Sequence, residues 1–103
     1  MSEKTYSNAA QERGYAVLMA LAGHEFAGIA PGEIAKAIGA SPPNVTRDLR
    51  VLAKAGLAQQ NPETGGWYLG PRIVQIASRF QVNLDRARRR VDELQQRYTR
   101  DPS

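Results

Sequence analysis

Apolar residues recur at helical spacing through residues 33–56, EIAKAIGASPPNVTRDLRVLAKAG, in two runs separated by a turn. In the first run Ile34, Ala35 and Ile38 share a face, and Gly39 ends it. The second run starts at Ser41, Pro42 and Pro43 and closes at Gly56, which gives a helix over about 42–55. Proline is tolerated in a first helical turn, where its missing N–H has no intrahelical partner. Ser41 is placed to cap this helix, with the amide of Asn44 as donor, and Pro43 leaves the start open by one residue. Val45, Leu49 and Leu52 form the inward stripe. At about 100° per residue, Pro43, Arg47, Arg50 and Lys54 fall on the opposite side, with Thr46 flanking. Three cations facing away from the core suit a helix laid in a DNA major groove. A solvated outer face on an ordinary helix has the same pattern.

Upstream, Asn8 is a cap for a first helix running to about Ala22, with Gln11 at the position that completes a capping box. Val17, Leu18 and Leu21 make its buried stripe, Tyr15 and Met19 widen it, and Gly23 is the stop. Residues 1–7 are expected to fray. Phe26 or Ile29 is expected to plug the core from the connection that follows. The next helix lacks a Ser, Thr or Asp cap, and Pro31 in its first turn compensates in part. Downstream, residues 57–60 and 67–69 read as two short strands around a stretch, 61–66, dense in turn formers. A hairpin directly after a helix-turn-helix is a wing. From Pro71 the pattern is helical again. Ile73, Ala77, Phe80, Leu84, Ala87, Val91, Leu94 and Tyr98 follow alternating steps of four and three, a heptad seam. Asn83 can interrupt it by capping a separate last helix, and residues 100–103 are expected to be mobile. The fold class is therefore mainly α with a small β-hairpin. A winged helix-turn-helix spans 8–70 and a C-terminal helical segment spans 71–99.

The chain has 103 residues, 42% hydrophobic and 23% charged, which fits one globular domain with a modest core. With no cysteine there is neither a disulfide scaffold nor a thiolate metal site. His24 is the only histidine, and no carboxylate pair, nucleophile–histidine set or phosphate loop has usable spacing. Neither an enzyme nor a cofactor is expected. The longest apolar run, 15–22, is too short to span a bilayer, and the polar start MSEKTYSN is unlike a signal peptide, so a cytoplasmic protein is expected. A net charge of +4 and a pI of about 9.9 favour polyanionic partners.

The order helix, helix-turn-helix, hairpin, helix resembles the DNA-binding winged helix of the IclR family of bacterial transcription regulators. The residues that carry the resemblance are ERGYAVLMALAG, EIAKAIGASPPNVTRDLRVLAKAGLAQ and GGWYLGPRIVQIA. In the last, Trp67, Tyr68, Leu69, Gly70, Pro71 and Arg72 match the family's aromatic, any residue, Leu-Gly-Pro-Arg pattern. Arg47 matches the family's usual arginine in the recognition helix. Pro42 and Pro43 stand where family members usually carry polar or basic DNA contacts. Members usually have a large C-terminal effector-binding domain. This chain ends at Ser103, so no small-molecule effector domain is expected.

The resemblance implies a transcription regulator that binds double-stranded DNA in sequence-specific fashion, as a homodimer. Ser41, Pro43, Asn44, Thr46, Arg47, Arg50, Lys54 and Arg72 are its candidate DNA-binding residues. Leu84, Ala87, Val91, Leu94 and Tyr98 are the candidate dimer seam, with Tyr15 or Met19 sharing the interface. A C-terminal helix folded back over the first helix is the alternative use of that seam. The alternative function is a winged helix that binds a protein, which predicts affinity that survives high salt. Glu63 near the wing tip would face phosphates.

Overall fold

The side chain of Asn8 accepts the amide of Gln11 at 3.0 Å, and helix α1 (Ala9–Ala20) starts there. Among the described residues Gln11 makes no return bond, so half of the expected capping box is present. The structure, a computed structural model, describes residues 6–100. The fraying expected for 1–7 and the mobile tail expected for 100–103 therefore fall mostly outside the described residues. Helix α2 (Pro31–Ile38) begins at Ala30 without a side-chain cap, and α3 (Pro42–Lys54) begins at Ser41. Strands β1 (Ala58–Gln60) and β2 (Trp67–Leu69) pair antiparallel, with Ala58 opposite Leu69 and Gln60 opposite Trp67. Helix α4 (Pro71–Thr99) follows after Gly70.

The three short helices and the hairpin close over one core. Leu21, Ile34, Leu49, Val17 and Val45 are fully buried, each worth about 1.5–3 kcal/mol of transfer free energy. Ile29, Ala35, Ala58 and Trp67 complete it. Of the two candidate plugs, Ile29 is buried and Phe26 is fully exposed. Backbone pairing explains the choice. Ile29 and Trp67 exchange two hydrogen bonds of 2.8 Å, an isolated antiparallel bridge that draws the connection before α2 against β2. Tyr15 and Met19, expected to widen the stripe of α1, are 62% and 74% exposed. Each lies two residues from Val17, about 200° around the helix and so on its far side.

Two compact units divide the chain, Met1–Ile73 and Val74–Ser103. Helix α4 runs through Asn83 without a break, so the separate last helix is not formed. None of its residues is buried. Of the heptad seam, Leu84 is half-buried, and Val91, Leu94 and Tyr98 are exposed. Among the described residues no helix is long and apolar enough to cross a membrane.

Two glycines test the packing in opposite directions. A Cβ at Gly70 would run into the carbonyl oxygen of Gly56 and stand 2.8 Å from the amide nitrogen of Ala58, both backbone atoms. A Cβ at Gly14, inside α1, would meet nothing within 4 Å. Gly70→Ala should therefore destabilise the protein by about 1–3 kcal/mol. Gly14→Ala should stabilise it by about 0.5–1 kcal/mol through helix propensity. Thermal unfolding followed by circular dichroism reads both; equal midpoints for the two variants would contradict the packing at Gly70.

Candidate nucleic-acid interface

The helix-turn-helix is set by a left-handed glycine and a serine cap. Gly39 has φ of 72° and ends α2, while the amide of Ala40 donates to Ala35 at 3.0 Å. The hydroxyl of Ser41 accepts the amide of Asn44 at 3.4 Å, and Pro42 and Pro43 fill the first turn of α3. The inward residues of α3 are Val45, Asp48 and Leu49, with Leu52 half-buried. Outward, Ser41, Pro43, Arg47, Arg50 and Lys54 are exposed, and Asn44 and Thr46 are half-buried along the edges. Pro42, Pro43, Thr46, Arg47 and Arg50 line one shallow depression on that surface. Among the described residues none of Arg47, Arg50 and Lys54 has a carboxylate within ion-pair distance. The candidate residues on α3 thus share one face, and its cations are available to an external anion.

Behind this face lies a pair that sequence reasoning missed. Arg13 on α1 grips Asp48 on α3 with both arms of its guanidinium, Nε to Oδ2 at 2.6 Å and Nη2 to Oδ1 at 3.0 Å. Asp48 is 8% exposed. The hydrogen bonds to Asp48 hold the Arg13 pKa above its ordinary value, against the opposing effect of burial and with a lesser contribution from the Asp48 charge. Asp48 stands three residues after Val45 and four before Leu52, in the middle of an apolar stripe. A carboxylate in such a place requires a cation opposite, and that was the available signal. Arg13 stands four residues before Val17 and meets that requirement from α1.

The wing is short and not basic. Asn61 organises its turn: its side chain accepts the amides of Glu63 at 2.9 Å and Thr64 at 3.4 Å, and its carbonyl accepts that of Gly65 at 2.7 Å. Gly65 takes the left-handed backbone, φ 76°. Residues 61–66 contain no lysine or arginine, and Glu63 is exposed. Arg72 is fixed at its base, where its amide donates to the carbonyl of Gly56 at 3.1 Å and its Cβ lies 3.2 Å from where a Cβ on Gly56 would stand, while the residue as a whole is exposed. It is anchored at the C-terminal end of α3 by backbone rather than by a place on the α3 face.

Residues 10–62 match the family model of the IclR helix-turn-helix domain. The chain belongs to the IclR helix-turn-helix family. Solved structures agree on the fold. An IclR transcriptional regulator from Alicyclobacillus acidocaldarius is 24% identical, with a TM-score of 0.65 over 72% of this chain and 30% of that one. Pseudomonas aeruginosa HmgR is also 24% identical, with a TM-score of 0.65 over 76% of this chain and 33% of that one. This IclR-type chain spans about a third of the length of those two proteins. The ORF112 Zalpha domain of Cyprinid Herpesvirus3, solved for its binding mode to Z-DNA, is 26% identical, with a TM-score of 0.52 over 63% of this chain and 98% of that one. No curated protein matches the chain.

The Arg13–Asp48 pair is open to a direct test of its place in the IclR-type domain. Asp48→Ala removes both acceptors and leaves the guanidinium facing a cavity; Asp48→Asn keeps one oxygen. Both should lower the unfolding temperature, Asp48→Ala more than Asp48→Asn, as read by thermal denaturation at neutral pH. An Asp48→Ala variant as stable as wild type would show that the bridge contributes nothing to holding α1 on α3.

Proposed function

We propose that this protein is a transcription regulator that binds double-stranded DNA in sequence-specific fashion, with α3 in the major groove. The observation that carries the reading is the outer face of α3, where Arg47 and Arg50 stand exposed and unpaired beside Thr46 and Asn44. Arginine presents a planar fork matched to guanine edges or phosphate. Asn44 and Thr46 lie where shorter polar side chains reach base edges or phosphates. Lys54, Arg72 and the cap at Ser41 hold the backbone, an engagement that positions without specifying. The wing, carrying Glu63 and no cation, is auxiliary. Membership of the IclR family supports this reading, and the likeness to a domain solved for its binding mode to Z-DNA supports DNA binding alone. The runner-up, a protein-binding winged helix, is separated by salt: DNA affinity falls steeply with ionic strength, whereas an apolar protein interface is insensitive to it.

The first test is alanine substitution at Arg47 and at Arg50. Each should cost about 1–3 kcal/mol in binding to a selected operator where it meets a base with both arms, and much less on random duplex. Unchanged operator affinity in both variants, with circular dichroism confirming the fold, would remove α3 as the reading helix.

A single winged helix reads few base pairs, and regulators of this kind double up on two half-sites. The dimer is assigned to the seam of α4 at Leu84, Ala87, Val91, Leu94 and Tyr98. Val91 and Leu94 are 61% and 45% exposed in one chain, which leaves apolar surface for a second copy to cover. Replacing Val91 and Leu94 together with aspartate should give a folded monomer with most of its operator affinity gone. Sedimentation equilibrium decides it. A wild-type protein monomeric at tens of micromolar would contradict the dimer, and an unfolded variant would favour the fold-back of α4 onto its own chain.

A further inference from the structure

The net charge of the chain comes from α4, while the rest of the chain as a whole is balanced. Residues 1–70 hold six lysines and arginines against six carboxylates, whereas α4 holds seven arginines against Asp85, Asp92 and Glu93, which equals the whole net charge of +4. Four of those arginines form a line. Arg79, Arg86, Arg90 and Arg97 follow steps of seven, four and seven, and at about 100° per residue they fall within roughly 40° of one another around the helix. With a rise of about 1.5 Å per residue the line is about 27 Å long. All four are exposed, and among the described residues none has a carboxylate within ion-pair distance. Asp85 and Asp92 lie on another flank, and Glu93 alone stands beside the line. Ser78, Arg79, Val82, Asn83 and Arg86 border a shallow depression along it. The line lies about a quarter-turn from the apolar seam, so covering the seam leaves it largely open.

We infer that Arg79, Arg86, Arg90 and Arg97 form a second, sequence-independent nucleic-acid site, a ladder that lies on the phosphate backbone of duplex DNA. Duplex DNA carries one charge per about 1.7 Å of axis, so a row of guanidiniums of this length meets several phosphates at once. Arginine matches phosphate with both arms, and a row of four arginines with one neighbouring carboxylate, Glu93, that pairs with none of them among the described residues is a polyanion surface rather than a set of intrahelical ion pairs. The ladder supplies affinity, and α3, on a winged helix of zero net charge, supplies discrimination. This inference rests on the DNA-binding reading above.

The test compares wild type with two quadruple variants, one with glutamine and one with lysine at positions 79, 86, 90 and 97. Binding to operator and to random duplex is measured across a range of salt. The slope of log affinity against log salt should become shallower by about 0.9 for each phosphate that the variant no longer neutralises. The glutamine variant should therefore be shallower by about 2–4, equally on both DNAs, with its operator preference kept. The lysine variant should keep most of the wild-type slope. A glutamine variant with the wild-type slope would overturn the ladder while leaving α3 as the reader. A lysine variant as shallow as the glutamine one would overturn the phosphate engagement in favour of a structural role. Unchanged DNA slopes together with abolished binding to poly-L-glutamate would give the ladder to an acidic protein and overturn it equally. A wild-type protein that binds neither duplex would overturn the DNA-binding reading, and the ladder with it.

Discussion

Asp48 is the constraint on which the placement of α3 depends. It belongs to the face of α3 that enters the core, and its neighbour Arg47 belongs to the face that leaves it. A buried carboxylate without a partner is costly, so Asp48 can occupy its place only where Arg13 of α1 meets it with two hydrogen bonds. Burial of Val45 and Leu49 sets which face of α3 turns inward. The guanidinium fork is planar, and its two bonds to one carboxylate are directional. The pair therefore adds a directional tie to the rotation that the buried stripe imposes, and with it to the direction of Arg47 and Arg50. A rotation of one residue, about 100°, would carry both arginines off the outer face.

Most of the fold was legible in local signals, and the particular elements show why. Ser41 before two prolines, Gly39 after an apolar run, and a stretch of turn formers between two short strand candidates each act within a few residues, which is the range over which caps and turns work. The outer face of α3 was legible for the same reason, since helical period alone separates Arg47 and Arg50 from Val45 and Leu49. What was missed or left open is tertiary. The burial of Ile29 in place of Phe26 follows from a backbone bridge to Trp67, a residue 38 positions away, and nothing within the connection announces it. The grip of Arg13 on Asp48 spans 35 positions. Its half-signal, a carboxylate inside an apolar stripe, names the need for a cation without naming which one. Tyr15 and Met19 are a different failure: their far-side placement was available from the helical period, and their apolar character outweighed it.

The two units divide surface chemistry unevenly. In Met1–Ile73 the apolar residues with helical period are largely buried and the charges come within one of balance. In α4 an apolar seam and a run of arginines occupy neighbouring flanks of one helix, and no residue is buried. A helix of 29 residues is long enough to form, yet most helical stability in proteins comes from covering an amphipathic face. The seam therefore asks for an apolar partner, and the arginines ask for an anion, at different angles around the same axis.

Under the proposed dimer and DNA ladder, that separation of angle would let one helix serve two partners without conflict. Were the arginines distributed on both sides of the seam, each copy in a dimer would bring its cations against those of its twin, and assembly would compete with charge. Only Arg88 lies on the other side of the seam from the line formed by Arg79, Arg86, Arg90 and Arg97, so like-charge repulsion across a paired seam is limited. The neutral winged helix gains from the same division. With charge concentrated in α4, general attraction to a polyanion does not have to come from α3. Under the proposed function its few outward side chains would then be left to differences between base edges rather than to the common attraction of phosphate.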